Sequence, residues 1–248
     1  MGFIFKYISV CMILVFLLAG CALFDRFFGE EEEKSPAELM SEGSAKLEKG
    51  DYEASTEAFQ KIKDRYPYSK FAVEAELKMA DSLYKREEFD QAYDAYKEFE
   101  RLHPKNKDIP YVIYQEGMCF FRQITTIDRD QSFTLKAKEE FERVVGRFPK
   151  GDYANRARKN IRKCLIYLAE YELYVGHYYF KMGKYGTAKD RYENIIKNYP
   201  DMGQYNVALE YIRLCKEKLS EETPPPKKEK KTNISGKLRK LIPFLKKD

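Results

Sequence analysis

Four segments of this chain share one frame: an aromatic residue, a small residue three positions on, a second aromatic four further, and a proline eight beyond that. They are Tyr52/Ser55/Phe59/Pro67, Phe89/Ala92/Tyr96/Pro104, Thr134/Ala137/Phe141/Pro149 and Tyr185/Ala188/Tyr192/Pro200, and only Thr134 breaks the aromatic rule. Positions three, four and seven apart lie on one face of a helix. A small residue there lets a second helix approach closely, and the second aromatic fills the space between the two. Proline cannot continue the backbone ladder, so it ends the helix and begins a turn. Nine residues before the frame starts stand Gly43, Ala80, Thr125 and Gly176. These read as small residues at the helix crossings. The frame therefore predicts an all-α chain of repeated helical hairpins. Composition agrees: valine and threonine together number only 15 of 248 residues, too few for a β-rich fold.

The small, aromatic and proline positions resemble those of the tetratricopeptide repeat. That resemblance implies a helical-hairpin solenoid of about five repeats, the last one incomplete. Frame starts are 37, 45 and 51 residues apart, wider than the plain repeat. The second excess falls partly in a polar loop at Ile127-Asp128-Arg129-Asp130. The third is absorbed by an unbroken helical pattern over residues 153–182, with Ile161, Leu165, Leu168, Tyr171 and Val175 recurring at three and four. A helix of that length is expected to brace the two halves of the solenoid. Ser35, Pro36 and Glu38 form a helix-entry signature, Ser69 is expected to cap the next helix, and residues 206–219 read as one last helix.

The N-terminus opens with Lys6 and an apolar run over residues 7–18, the length of a signal-peptide core. Leu18-Ala19-Gly20-Cys21 resembles the lipobox of bacterial lipoproteins, which implies cleavage between Gly20 and Cys21 and acylation of Cys21. Several acyl chains would hold the chain permanently, where one alone holds only marginally. Phe24, Phe27 and Phe28 either dip into the interface or serve as linker, and Glu30 to Glu33 read as a solvated spacer. The expected organisation is a signal peptide over 1–20, an anchor and acidic linker over 21–34, a solenoid over 35–220, and a proline-rich then basic tail over 221–248.

Charge divides along the chain. The net value is +5, but residues 227–248 hold nine basic and two acidic residues, and residues 21–226 sum to −3. A nucleic-acid binder would carry its positive charge on the folded body, so no nucleic-acid partner is expected. In the tail, Leu238, Leu241, Ile242 and Leu245 stand at helical spacing among lysines, suited to anionic lipid or an acidic partner. Pro243 interrupts the pattern, and the free segment reads as disordered.

Two histidines and five scattered cysteines leave no metal-ligand spacing, and no cofactor is expected. Cys119, Cys164 and Cys215 read as isolated buried thiols. There is no phosphate loop, nucleophile elbow or His-Glu-x-x-His, and the chain is not expected to be an enzyme.

The combination of lipobox, acidic linker and about five repeats resembles the BamD family of outer-membrane assembly lipoproteins. The residues that carry it include Gly50-Asp51-Tyr52 with Arg65-Tyr66-Pro67, Asp128-Arg129-Asp130, and Leu168-Ala169-Glu170-Tyr171-Glu172 leading to Tyr178-Tyr179. The resemblance implies a non-enzymatic subunit of the β-barrel assembly machinery at the periplasmic face of the outer membrane. Its implied partners are the POTRA domains of the barrel subunit BamA and unfolded barrel proteins. Arg191 falls where the family places an arginine that pairs with a BamA carboxylate, although an exposed helix arginine can also be merely solvated. One departure is Pro224-Pro225-Pro226, which follows the first helix of the last repeat where the family has a second.

Solenoid geometry proposes a groove for extended apolar-aromatic peptides on the first helices of the hairpins. In repeat one it would draw on Met40, Ser44, Leu47 and Glu48, and in repeat two on Leu77, Asp81, Tyr84 and Lys85; Leu47 and Leu77 could equally be ordinary core. The rival reading is another repeat lipoprotein, a pilotin or a cell-wall scaffold, with the same signal, anchor and fold.

Overall fold

A computed structural model describes residues 33–222, where every regular element is helical. The signal, Cys21, most of the linker and the basic tail lie outside the described residues. The helices are α1 (Pro36–Glu48), α2 (Tyr52–Arg65), α3 (Ala72–Lys85), α4 (Phe89–Leu102), α5 (Ile109–Phe121), α6 (Ser132–Arg147), α7 (Asp152–Lys181), α8 (Tyr185–Asn198) and α9 (Tyr205–Glu222). They pair as four hairpins, with α9 beyond the fourth. The chain divides into two compact units at Asn106/Lys107: α1–α4 form the first and α5–α9 the second.

Each frame proline sits two residues past a helix end. The backbone N–H groups of Tyr66, His103, Phe148 and Tyr199 donate to Ile62, Phe99, Val144 and Ile195, and the prolines that follow have no N–H to offer. At the front of the fold, Ser35 and Glu38 close a reciprocal capping box with Pro36 in the first turn. Ser69 does not cap α3. That helix begins after Phe71 without a side-chain cap, and Ser69 Oγ is buried with no hydrogen-bond partner.

The hairpin crossings follow the frame in three of four cases. A Cβ on Gly43 would stand 2.7 Å from the Phe59 ring, and one on Gly176 2.6 Å from Tyr192; Ala80 and Tyr96 are both fully buried. In the third hairpin the crossing residue is Gly117, not Thr125. A Cβ on Gly117 would meet Phe141 at 2.7 Å, whereas Thr125 is exposed in the turn. The loop over residues 122–131 is much longer than the turns over 49–51, 86–88 and 182–184, so counting backward from the frame stops short of α5.

The short turns need a left-handed residue. Gly50 (φ 78°) and Gly183 (φ 72°) supply it in two of them, while Glu87 adopts φ 64° in the third. A side chain there is strained by about 1 kcal/mol. Glu87→Gly is expected to raise stability by about 0.5–1 kcal/mol, read as a melting temperature up by about 2–4 °C.

Within the first unit, Leu39, Met40, Phe59, Ile62, Ala75 and Met79 form one core. A polar link runs through it: Ser55 Oγ donates to the Gly43 carbonyl at 2.9 Å and lies 3.0 Å from Ser82 Oγ, joining the two hairpins. In the second unit, Ala169, Ala188, Tyr192, Ile195, Ala208, Ile212 and Cys215 form one core cluster around α8. Each large side chain so buried contributes about 1.5–3 kcal/mol.

Helix α7 matches the expected long helix to one residue at each end, but it lies wholly inside the second unit, where it joins the third hairpin to the fourth. Its first half packs on α5 and α6, with the Tyr153 ring 5.5 Å from Tyr111 and from Tyr114 and Asn160 Nδ2 donating to the Tyr114 hydroxyl at 3.2 Å. Its second half buries Ala169 and Gly176 against α8. The cysteines Cys119, Cys164 and Cys215 are free and buried. Burial pushes the Cys164 thiol up to about 12, which leaves it protonated and inert.

Candidate functional site

The groove proposed for the first unit is only partly a surface. Met40 is 7 % exposed and belongs to the core with Ala75 and Met79 of α3, so it does not line a groove. Its position falls between neighbouring first helices, where packing claims it. Leu47, Leu77, Asp81 and Tyr84 are half-buried and Lys85 is exposed. Asp81 accepts a 2.6 Å hydrogen bond from the Tyr96 hydroxyl, which gives that buried phenol the acceptor it needs. Tyr84 stands edge-on to Phe89 at 5.5 Å. What remains is a half-buried strip of Leu47, Leu77 and Tyr84 beside one carboxylate and one ammonium group.

Arg191 on α8 is not simply solvated. Its Nη1 donates to Glu172 Oε2 at 3.2 Å and Oε1 at 3.4 Å; the arginine side chain is 41 % exposed, the glutamate 10 %. A guanidinium carries five N–H donors. Glu172 therefore holds one side of the group and fixes its direction, while the exposed part keeps donors for a second carboxylate.

The same device recurs in two other hairpins, and residue spacing did not reveal it. His103 Nε2 lies 2.7 Å from Glu76 of α3, and Arg143 of α6 donates to the fully buried Glu116 of α5 at 2.7 Å. The available signal was a glutamate on the crossing face: Glu76 and Glu172 each stand one helical turn before the small residues Ala80 and Gly176.

His177 on α7 is half-buried among rings: 4.4 Å from Tyr211 and 5.7 Å from Tyr192 between centroids. Its Nε2 is buried without a hydrogen-bond partner. Burial first, and Lys181 second, hold the imidazole below its ordinary value of 6.5. The unfolded chain therefore takes up a proton that the folded chain resists, and stability should fall as pH drops below that value. His177→Phe is expected to flatten this slope in melts run between about pH 7 and pH 5.

Among the described residues no group of acidic, histidine and cysteine side chains could hold a metal ion. No described helix is long and apolar enough to cross a membrane.

The chain is similar to several known proteins. It is 31 % identical over 194 residues to the outer membrane protein assembly factor BamD of Rickettsia prowazekii, covering 78 % of this chain and 76 % of that one. It is 28 % identical over 227 residues to the BamD of Neisseria meningitidis serogroup A, covering 86 % and 85 %. Among solved structures, the TPR2AB-domain:pHSP90 complex of yeast Sti1 matches at TM-score 0.47 and 14 % identity, over 74 % of this chain and 70 % of that one. The family described as "YfiO: Outer membrane lipoprotein" matches residues 32–232. The hairpin array over residues 36–222 lies inside that match, and the chain belongs to the YfiO family of outer membrane lipoproteins.

Proposed function

We propose that this chain is a non-catalytic assembly factor for outer-membrane β-barrel proteins, held by acyl chains on Cys21 at the periplasmic face of the outer membrane. The observation that carries this reading is the family match over residues 32–232, joined by relatives named as BamD that align with most of the chain. In this reading Leu47, Leu77 and Tyr84 take apolar side chains of an unfolded barrel segment, and Asp81 and Lys85 take its polar groups. Arg191, aimed by Glu172, pairs with a carboxylate on a POTRA domain of a BamA-like subunit.

Affinity purification of the full-length chain from detergent-solubilised membranes tests the reading. A BamA-like barrel subunit should be recovered, and Arg191→Gln should lower that recovery by about tenfold while the fold survives. Tyr84→Ala should weaken binding of barrel C-terminal peptides by a similar factor. Recovery of a secretin in place of the barrel subunit would overturn the assignment, and an unmodified N-terminal Cys21 by mass spectrometry would remove the anchor.

A further inference from the structure

The long helix α7 exposes a face that other hairpins bury. In its first half one stripe, through Tyr153, Ala157, Asn160 and Cys164, packs on the third hairpin; Ala157, Asn160 and Cys164 are buried and the Tyr153 ring meets Tyr111 and Tyr114. Continued at steps of three and four, the same stripe runs through Tyr167, Tyr171, Tyr174, Tyr178 and Met182. There the packing stops. Tyr167 and Tyr171 are half-buried, while Tyr174, Tyr178 and Met182 are 46 %, 56 % and 59 % exposed. Aligning Gly176 with Ala80 sets Tyr171 at the place of Ala75 and Tyr178 at that of Ser82. Both of those first-unit residues are fully buried, and Ser82 touches Ser55 of the preceding hairpin. The extra turns of α7 thus carry a hairpin-stacking face past the hairpin that would cover it, and that face bears large rings in place of Ala and Ser.

We propose that this tyrosine face docks an acidic, apolar-faced segment of a partner protein. Charge selects the occupant. Lys163 and Lys181 border the stripe on one side, and Lys184 lies over the Tyr179 ring at 5.9 Å; Glu170 is the one carboxylate that α7 itself sets on that border. The second unit holds 21 basic against 17 acidic residues over 107–222, whereas the first holds 13 against 17 over 33–106. The chain's own tail, nine basic to two acidic, is repelled from this face, and a second copy would bring Lys163 and Lys181 against their equals. A membrane-inserting face is built on Trp, Phe and Leu. This one ends in hydroxyl groups suited to a polypeptide's carbonyls and carboxylates. From Tyr167 to Met182 the stripe spans about 22 Å, room for a helix of about four turns laid along it. The surface lies on a different side of α7 from Glu172 and Gly176, which face α8, so it is separate from the Arg191 contact.

The test is in-cell photocrosslinking of the full-length chain, with benzoylphenylalanine at position 178 and, as background, at the fully exposed Tyr68. Position 178 should yield a discrete protein adduct above that background, and the crosslinked peptide should carry net negative charge. Lys163→Glu combined with Lys181→Glu should cut the adduct by about tenfold with an unchanged melting temperature. An adduct no stronger than at Tyr68 overturns the proposal. So does an adduct with lipid, with residues 223–248 or with a second copy, a crosslinked peptide of net positive charge, or a yield that charge reversal leaves intact.

Discussion

Arg143→Met is expected to cost the second unit about 3–5 kcal/mol, more than any surface substitution in the chain. Glu116 is fully buried on α5, and the Arg143 guanidinium that meets it at 2.7 Å also contacts Glu140 on its own helix. Methionine keeps much of the volume of the arginine stem but removes the charge, so the substitution isolates electrostatics from packing. Two carboxylates then face each other across α5 and α6 without the cation between them. A buried carboxylate that loses its partner carries its full desolvation cost. The expected readout is a drop in denaturant midpoint, with faster hydrogen exchange in α5 and α6 and little change in α1–α4. Glu116→Gln with Arg143→Met should recover most of the loss, because the buried charge is then gone as well. A single substitution costing under about 1 kcal/mol would put this pair with exposed ion pairs and remove it as a determinant of the third hairpin.

How much of this was readable beforehand depends on what each residue does for the backbone. The proline-ended frames placed α2, α4, α6 and α8, because an aromatic stripe and a missing N–H act locally and leave marks at fixed spacing. Gly43 and Gly176 were readable for the same reason. Gly117 was not: the loop over residues 122–131 separates it from its ring, and loop length is set by nothing that the frame records. The division at Asn106/Lys107 left no mark in frame spacing either.

The candidate sites were less legible because repeat position predicts direction but not neighbours. Met40 occupies a place counted as groove-facing, yet Ala75 and Met79 of α3 close over it. Arg191 was expected to meet a partner's carboxylate or water alone, and its fixed direction comes from Glu172, nineteen residues earlier on another helix. Glu76, Glu116 and Glu172 carry no mark of pairing in residue spacing, and only the fold sets His103, Arg143 and Arg191 beside them. The tyrosine face on α7 illustrates the same point. Its stripe is continuous with a buried one, and only the end of the third hairpin's packing makes it a surface.

Gly176→Leu is expected to destabilise the fourth hairpin by about 3 kcal/mol or more. A Cβ there would lie 2.6 Å from Tyr192 Cε1, 2.9 Å from Cζ and 3.0 Å from Cδ1. Tyr192 is fully buried, and burial pushes its hydroxyl well above the usual phenol range, so the ring has no open direction in which to retreat. Leucine must therefore push α7 and α8 apart and break the core they share with α9. Gly176→Ala should cost less, about 1–2 kcal/mol. Alanine gains about 1 kcal/mol of helix propensity over glycine, and Ala80 serves at the matching crossing of the second hairpin. Gly146→Ala supplies the opposite sign: its Cβ would meet nothing within 4 Å, so only the propensity gain remains. Thermal melts should rank Gly146→Ala above the parent, then Gly176→Ala, then Gly176→Leu. If the leucine variant melted with the parent, ring and backbone would not be in contact at this crossing, and the shared frame would have lost its physical meaning.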